Sequence, residues 1–267
     1  MQNKKRISVL MGIYNCADTL VEALDSLYAQ TYQDFKVILC DDGSTDNTYQ
    51  VAADYACKHD NIILIKNDKN IKLAGTLNNC LKYADTEYVA RMDGDDISLP
   101  ERFEKEINFL DKHPEYALVS CPMIYFDENG DWMTGKAKAK PQKEDFSKGS
   151  LFCHAPMMMR TSVMNEIGGY TDEPWTLRIE DYYLWFKVYK AGYIGYNLKE
   201  PLYKMRDGRD AFSRRTPKVR WTAYKLSVKV KKSLGLKHPY LSGYKDVLKI
   251  FVPSFVIKYL RRRKNIK

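Results

Sequence analysis

The chain has 267 residues, 45% of them hydrophobic and 29% charged, which supplies enough apolar material for a sizeable core and excludes disorder by composition. No run reaches the roughly 18–20 apolar residues of a membrane span, and Met1 to Arg6 leads into a short apolar run with no small-residue cleavage site, so a cytosolic protein is expected. The net charge of +9 is unevenly spread: residues 201–267 hold 20 Lys+Arg against 3 Asp+Glu, a balance of +17, which leaves −8 for residues 1–200.

In chain order, Arg6 to Met11 is an apolar run suited to a buried strand, followed by Ala17 to Gln30 with Leu20, Ala23, Leu24, Leu27 and Tyr28 on one helical face. Phe35 to Cys40 is a second strand ending at Asp41-Asp42-Gly43-Ser44-Thr45-Asp46, where Ser44 or Thr45 is expected to cap a helix running to about Lys58. Asn61 to Lys66 is a third strand, Leu73 to Ala84 a third helix, and Glu87 to Met92 a fourth strand that stops at Asp93-Gly94-Asp95-Asp96. Four such alternations call for an α/β fold, a mainly parallel sheet with helices on both faces. Beyond it, Tyr116 to Phe126 reads as extended, Trp132 to Gly149 as a Lys-rich loop, and Thr161 to Ile167 and Glu180 to Ala191 as helical. From Arg214 onward two basic helices are expected, broken at Leu234 to Pro239. Six cysteines lie scattered without a C-x-x-C pair and read as buried or idle thiols.

Ligands of an open parallel sheet bind outside the carboxyl ends of its strands. Those ends are where Asp41, Asp42, Asp93, Asp95 and Asp96 fall, a rim of like charge that calls for a cation or hydrogen-bond donors. No G-x-G-x-x-G and no P-loop motif is present, so a diphosphate would be held through a hard divalent ion on carboxylates. An EF-hand beginning at Asp93 fails: Ser98 stands where the loop needs Gly, and Pro100 starts a helix.

Ile7 to Asn15, Cys40-Asp-Asp-Gly-Ser-Thr-Asp46, Tyr88 to Arg102 and Arg178-Ile-Glu-Asp181 together resemble the family 2 glycosyltransferases over residues 5–205. The resemblance implies a GT-A (Rossmann-like) fold, a UDP-sugar donor, a divalent metal (Mn²⁺ or Mg²⁺) and inversion at the anomeric carbon. It implies a catalytic domain over residues 1–205, with a nucleotide-binding half (1–115) and an acceptor-binding half (116–205), then a basic helical extension over 206–267. Carried over by motif, Gly12 and Tyr14 border the nucleobase, Asp42 accepts from the uracil with Asp41 close by, Asp93 meets the ribose, and Asp95 ligates the metal. Gly12 stands where the family usually has Pro, and Lys72 where it often has Gly. Asp181 matches the general base, with Glu180 as the competing carboxylate. Asp96, Lys72, His154 and Trp175 are candidate donor or acceptor contacts.

Two other readings compete. A non-catalytic sugar-nucleotide or carbohydrate-binding protein would not need Asp181, and a nucleotidyltransferase would show a Gly-rich basic loop in place of Gly12-Ile-Tyr-Asn-Cys. For the extension, Lys249 to Lys264 is too short in its apolar part to span; the tail suits either an anionic cytoplasmic leaflet, in which case deleting 246–267 is expected to abolish vesicle binding, or a solvated basic face on helices packed against the catalytic domain. Nucleic acid is not an expected partner because the acidic crevice repels it. The family resemblance suggests a lipid-linked glycan acceptor in bacterial surface polysaccharide assembly, with the enzyme peripheral at the inner face of the plasma membrane.

Overall fold

The computed structural model describes residues 5–207 and 216–241. A seven-stranded sheet is built from β1 (Ile7–Ile13), β2 (Phe35–Asp41), β3 (Ile62–Lys66), β4 (Tyr88–Arg91), β6 (Tyr116–Ser120), β9 (Met158–Arg160) and β10 (Ile194–Asn197), in the order β10-β6-β9-β4-β1-β2-β3. Every pairing in it is parallel except those of β9, which runs antiparallel between β4 and β6. The mainly parallel sheet expected from the alternation is present.

Strand residues alternate between two cores because successive side chains point to opposite faces. Ile7, Val9, Met11 and Ile13 of β1 pack with Leu20, Leu24 and Leu27 of α1 (Ala17–Tyr28), Tyr55 of α2 (Thr48–Ala56) and Phe103 and Ile107 of α4 (Arg102–Lys112). Leu10 joins the other core, with Leu77 of α3 (Lys72–Leu81), Met164 of α5 (Thr161–Glu166), Leu184 and Trp185 of α6 (Glu180–Lys190) and Leu226 and Val230 of α7 (Pro217–Ser233). Helices thus cover both faces.

Two expectations are corrected, and one, the extended stretch from Tyr116, holds in finer form. Ser44 and Thr45 do not cap α2: both bind Asn15, and Asp46 accepts from the Thr48 amide at 3.0 Å instead. Tyr116 to Phe126 is two strands, β6 and β7 (Met123–Asp127), which enter different sheets after Cys121-Pro122. The stretch 132–149 is not all loop, since β8 (Gly130–Thr134) pairs with β7 and a 3-10 turn covers Lys143–Ser147. With β5 (Ile97–Ser98) and β11 (Tyr203–Arg206), these strands form a second sheet, β5-β11-β7-β8. The break after α7 falls where the glycine and proline placed it, and the second basic helix, with 246–267, lies outside the described residues. Among the described residues no helix is long and apolar enough to cross a membrane.

Beneath the end of β4 lies a fully buried ion pair. Arg102 Nε donates to Glu106 Oε2 at 3.2 Å and Arg102 Nη2 to the Arg91 carbonyl at 2.8 Å. Burial raises the Glu106 carboxyl, and Arg102 opposes that rise. Arg102→Met, which strands the carboxyl, is expected to cost about 3–5 kcal/mol in urea unfolding, whereas Arg102→Met with Glu106→Leu should recover most of the loss.

Candidate active site

The first wall forms where β1 and β2 end. Asn15 adopts a left-handed φ of 48°, which turns the chain so that its amide donates to Ser44 Oγ (3.0 Å) and its Oδ1 accepts from the Thr45 amide (2.8 Å). The β1 and β2 loops are thereby joined, with Tyr14 47% exposed at their tip. Asp41 is buried and its carboxylate accepts from the Ser44 amide. Asp42 accepts from Asn67 Nδ2 (2.9 Å), the Ile71 amide (2.8 Å) and the Lys72 amide (3.0 Å). Its carboxylate therefore anchors the start of α3, and three of about four acceptor positions are filled, leaving room for one external donor. Gly12 packs on α3, since a Cβ there would come within 3.1 Å of Thr76 Cγ2. Lys72 is exposed, with a φ of 71° that explains why glycine suits this position.

The second wall is Asp93-Gly94-Asp95-Asp96. A Cβ on Gly94 would meet Cys16 Sγ at 2.8 Å, so glycine lets this turn close against the β1 loop. Strand β11 supports it from below: the Tyr203 hydroxyl accepts from the Asp93 amide (3.2 Å), the Arg206 amide donates to Asp96 Oδ1 (2.8 Å), and Arg206 Nε donates to the Asp95 carbonyl (2.9 Å). Buried Arg91, ahead of the turn, pairs with Asp93.

The third wall is the start of α6. Asp181 Oδ2 accepts from Ser150 Oγ at 3.2 Å, and the buried Trp185 Nε1 donates to that same Oγ at 3.0 Å. Arg178, three residues earlier, holds a strained φ of 65°. His154 shares a 2.9 Å hydrogen bond with the Tyr170 hydroxyl and lies edge-on to Trp185. The ring of the half-buried Trp175 meets Tyr183 edge-on and carries Lys229 of α7.

These walls converge electrostatically. Burial raises the Tyr170 phenol, Arg91 opposes the rise, and Glu180, Asp93 and Asp181 add to it, so carboxylates from the turn after β4 and from α6 act on one hydroxyl. Burial also raises Asp95 and Asp96, and Asp93 raises both further. Asp95 reaches solvent, whereas Asp96 is 2% exposed and its Oδ2 has no hydrogen-bond partner. A crowded anionic cluster with one accessible carboxylate fits a divalent ion whose remaining shell comes from a ligand. Among the described residues no three His, Cys, Asp or Glu side chains form a closed metal cage. Glu180 is likewise raised by burial, lowered by its own amide and raised again by Asp181.

Burial, reinforced by Arg91, lowers His154 well below its usual value, so it is neutral at the site. The unfolded chain then takes up a proton near pH 6.5 that the fold refuses, so stability is fully present above that pH and lost as the pH falls through it. Between pH 6.5 and 5 the melting curve of His154→Gln is expected to lose less than the wild type, by about 1 kcal/mol per pH unit.

Arg91, Ser150, Tyr170, Trp185 and Arg206 were not singled out from the sequence. Only Arg91 carried a signal, a charge inside an otherwise apolar strand.

The model of the family described as "Glycosyl transferase family 2" matches residues 8–168. EpsE of Bacillus subtilis (strain 168), a glycosyltransferase by assignment, is 40% identical over 98% of this chain and 96% of its own. WfaP of Escherichia coli, named as a UDP-Glc:alpha-D-GlcNAc-diphosphoundecaprenol beta-1,3-glucosyltransferase, is 28% identical over 86% of this chain and 87% of its own. Among solved structures, residues 1–349 of S. aureus TarS with UDP-GlcNAc align with a TM-score of 0.68 at 20% identity, over 92% of this chain and 71% of that one. The mannosyltransferase PcManGT from Pyrobaculum calidifontis with GDP-Man and Mn²⁺ aligns with a TM-score of 0.64 at 18% identity, over 93% of this chain and 74% of that one. The fold is therefore GT-A.

Proposed function

The chain belongs to the family 2 glycosyltransferases, and from that membership we propose that it transfers a sugar, with inversion, from a UDP-sugar to a hydroxyl of a lipid-linked glycan in bacterial polysaccharide synthesis. The observation that supports this reading is that Asp93, in the turn after β4, and Glu180 and Asp181, in the first turn of α6, all act on the one buried Tyr170 hydroxyl, which is itself hydrogen-bonded to His154 at 2.9 Å. The donor and acceptor classes are supported by the names of relatives such as WfaP and by the UDP-GlcNAc complex of TarS.

In this reading Tyr14 covers the uracil, Asp42 offers its remaining acceptor position to the ring N–H, and Gly12 and Asp41 hold that loop in shape. Asp93, aligned by Arg91, meets the ribose. Asp95, with Asp96 behind it, would hold Mn²⁺ or Mg²⁺, which when bound offsets the charge developing on the departing diphosphate. Asp181, oriented by Ser150, removes the acceptor hydroxyl proton as the new C1–O bond forms on the face opposite the leaving group. Glu180 stands behind it. Lys72, exposed at the start of α3, lies beside the Asp42 loop and is a phosphate contact in this reading. His154 and Trp175 act through packing. The basic extension over residues 206–267 holds the enzyme at the inner face of the plasma membrane, where such an acceptor resides.

The test is a transfer assay with a panel of UDP-sugars and a short diphospholipid-linked sugar as acceptor, the product being read by NMR. The expected product carries the anomeric configuration opposite to the donor's. A product of retained configuration would overturn Asp181 as a single-displacement base, and failure of the folded protein to bind UDP in the presence of Mn²⁺ would overturn the donor class.

A further inference from the structure

The helix α7 and the eight residues of chain after it have two unlike sides. Residues 216–241 contain Lys218, Arg220, Lys225, Lys229, Lys231, Lys232 and Lys237 and no Asp or Glu. One side of α7 is buried through Leu226 and Val230 in the core shared with α6, and Lys229 covers Trp175, whose edge meets Tyr183 of α6. The other side carries Trp221, Tyr224, Lys225, Val228 and Lys232 at helical spacing, so they share one face. Trp221 is 45% exposed and stacks on Tyr224 with ring centroids 5.6 Å apart. The Tyr224 hydroxyl donates to the Tyr240 carbonyl at 3.3 Å, which brings Tyr240 and Leu241 to the same side, 57% and 65% exposed. Lysines flank the rings: Lys225 Nζ lies 5.6 Å from the Trp221 ring and Lys232 Nζ 4.6 Å from that of Tyr240.

We infer that this face of α7, from Trp221 to Leu241, is the surface by which the protein docks on an anionic bilayer, with the rings at headgroup depth and the lysines against lipid phosphates. Amphipathic rings belong at the membrane–water interface, and each basic residue near an anionic leaflet adds to attachment. The occupant is decided by charge and by the aliphatic residues. A face without a single acid suits an anionic surface. Val228 and Leu241 gain by entering a lipid interface and gain nothing from stacking on a nucleobase. The acidic body repels an extended phosphodiester that would have to run past it. The inference rests on the reading of a lipid-linked acceptor and deepens it, because α7 packs on α6, whose first turn holds Asp181. A bilayer under α7 therefore lies against the acceptor side of the catalytic unit rather than the UDP side.

The experiment uses the full chain and vesicles of phosphatidylcholine with and without phosphatidylglycerol. Wild-type protein should sediment with the phosphatidylglycerol vesicles and be released by high salt. Trp221→Ala with Tyr240→Ala, and Lys225→Glu with Lys232→Glu, should each weaken binding by about tenfold or more. UDP titrations on both double variants should match the wild type, because no substituted residue lies at the nucleotide, and that match also reports that they are folded. Brominated acyl chains should quench part of the wild-type fluorescence, and that part should vanish in Trp221→Phe. Vesicle binding that survives all these substitutions would overturn the α7 face and leave attachment to residues 242–267. Failure of the wild type to bind either vesicle, or binding to an RNA oligonucleotide in place of vesicles, would overturn membrane docking altogether. The transfer assay with a soluble acceptor analogue separates either failure from that of the glycosyltransferase reading itself.

Discussion

Asp181→Asn is expected to lower kcat by about 10²–10⁴-fold, the range for loss of a positioned general base, while UDP affinity stays within about twofold. The substitution is isosteric and the amide oxygen can still accept from Ser150 Oγ, so the α6 start keeps its geometry and only the proton acceptor is lost. A smaller loss, about tenfold, is expected of Ser150→Ala, which removes one hydrogen bond to a charged group and frees the carboxylate to rotate. Glu180 supplies the discriminating control. Burial favours its neutral form more than its own amide opposes it, and an adjacent helical residue points elsewhere, so Glu180→Gln should lose under tenfold in kcat. Single-turnover rates with saturating donor are the measurement. The reverse ranking of the two variants would transfer the base to Glu180.

The second large effect concerns the donor side. Calorimetric titration of UDP is expected to show binding that Mn²⁺ strengthens, and Asp95→Asn is expected to weaken the metal-dependent part by about 10²-fold or more, beyond the losses seen when only a supporting residue is removed. Asp95 reaches solvent while Asp93 is engaged by Arg91 and Asp96 by the Arg206 amide, which leaves Asp95 the carboxylate best placed to meet an ion carried in with a diphosphate. Asp96→Asn should behave differently. It keeps the Oδ1 contact to β11 and removes only a buried charge, so UDP affinity without metal should be unchanged. A Mn²⁺ increment that survives in Asp95→Asn would move the ligand to Asp93.

The alternation of β1 to β4 with α1 to α3 was legible because each strand is a short apolar run and each helix a 3.6-residue stripe, and both signals are local. The second sheet was not, because β5 has two residues and β11 finds β7 about 80 positions earlier in the chain, a pairing that no local pattern announces. The carboxylates of the candidate site drew notice for the opposite reason: acids at the ends of apolar strands stand out from their surroundings. Their partners did not stand out. Asp42 receives the Ile71 and Lys72 amides only because α3 starts where it does, and Ser150 belongs to no motif and meets Asp181 across 31 residues. Trp175 was read equally as a sugar platform or as packing, and the Lys229 of α7 that lies over its ring belongs to an element far along the chain, which no local pattern announces.

The antiparallel β9 bears on how the chain can be made. Tyr88 to Ala90 of β4 and Leu118 and Val119 of β6 have β9 as their common neighbour, so the centre of the large sheet waits for residues 158–160. A chain growing from its N-terminus exposes two apolar strand edges for the time needed to add some forty residues after β6, and unpaired edges of this kind are where strands of other chains attach. Pairings so distant in sequence are also slow to form. A fragment ending near residue 115 is therefore expected to present the β4 edge permanently, as a template for aggregation rather than a unit that folds on its own.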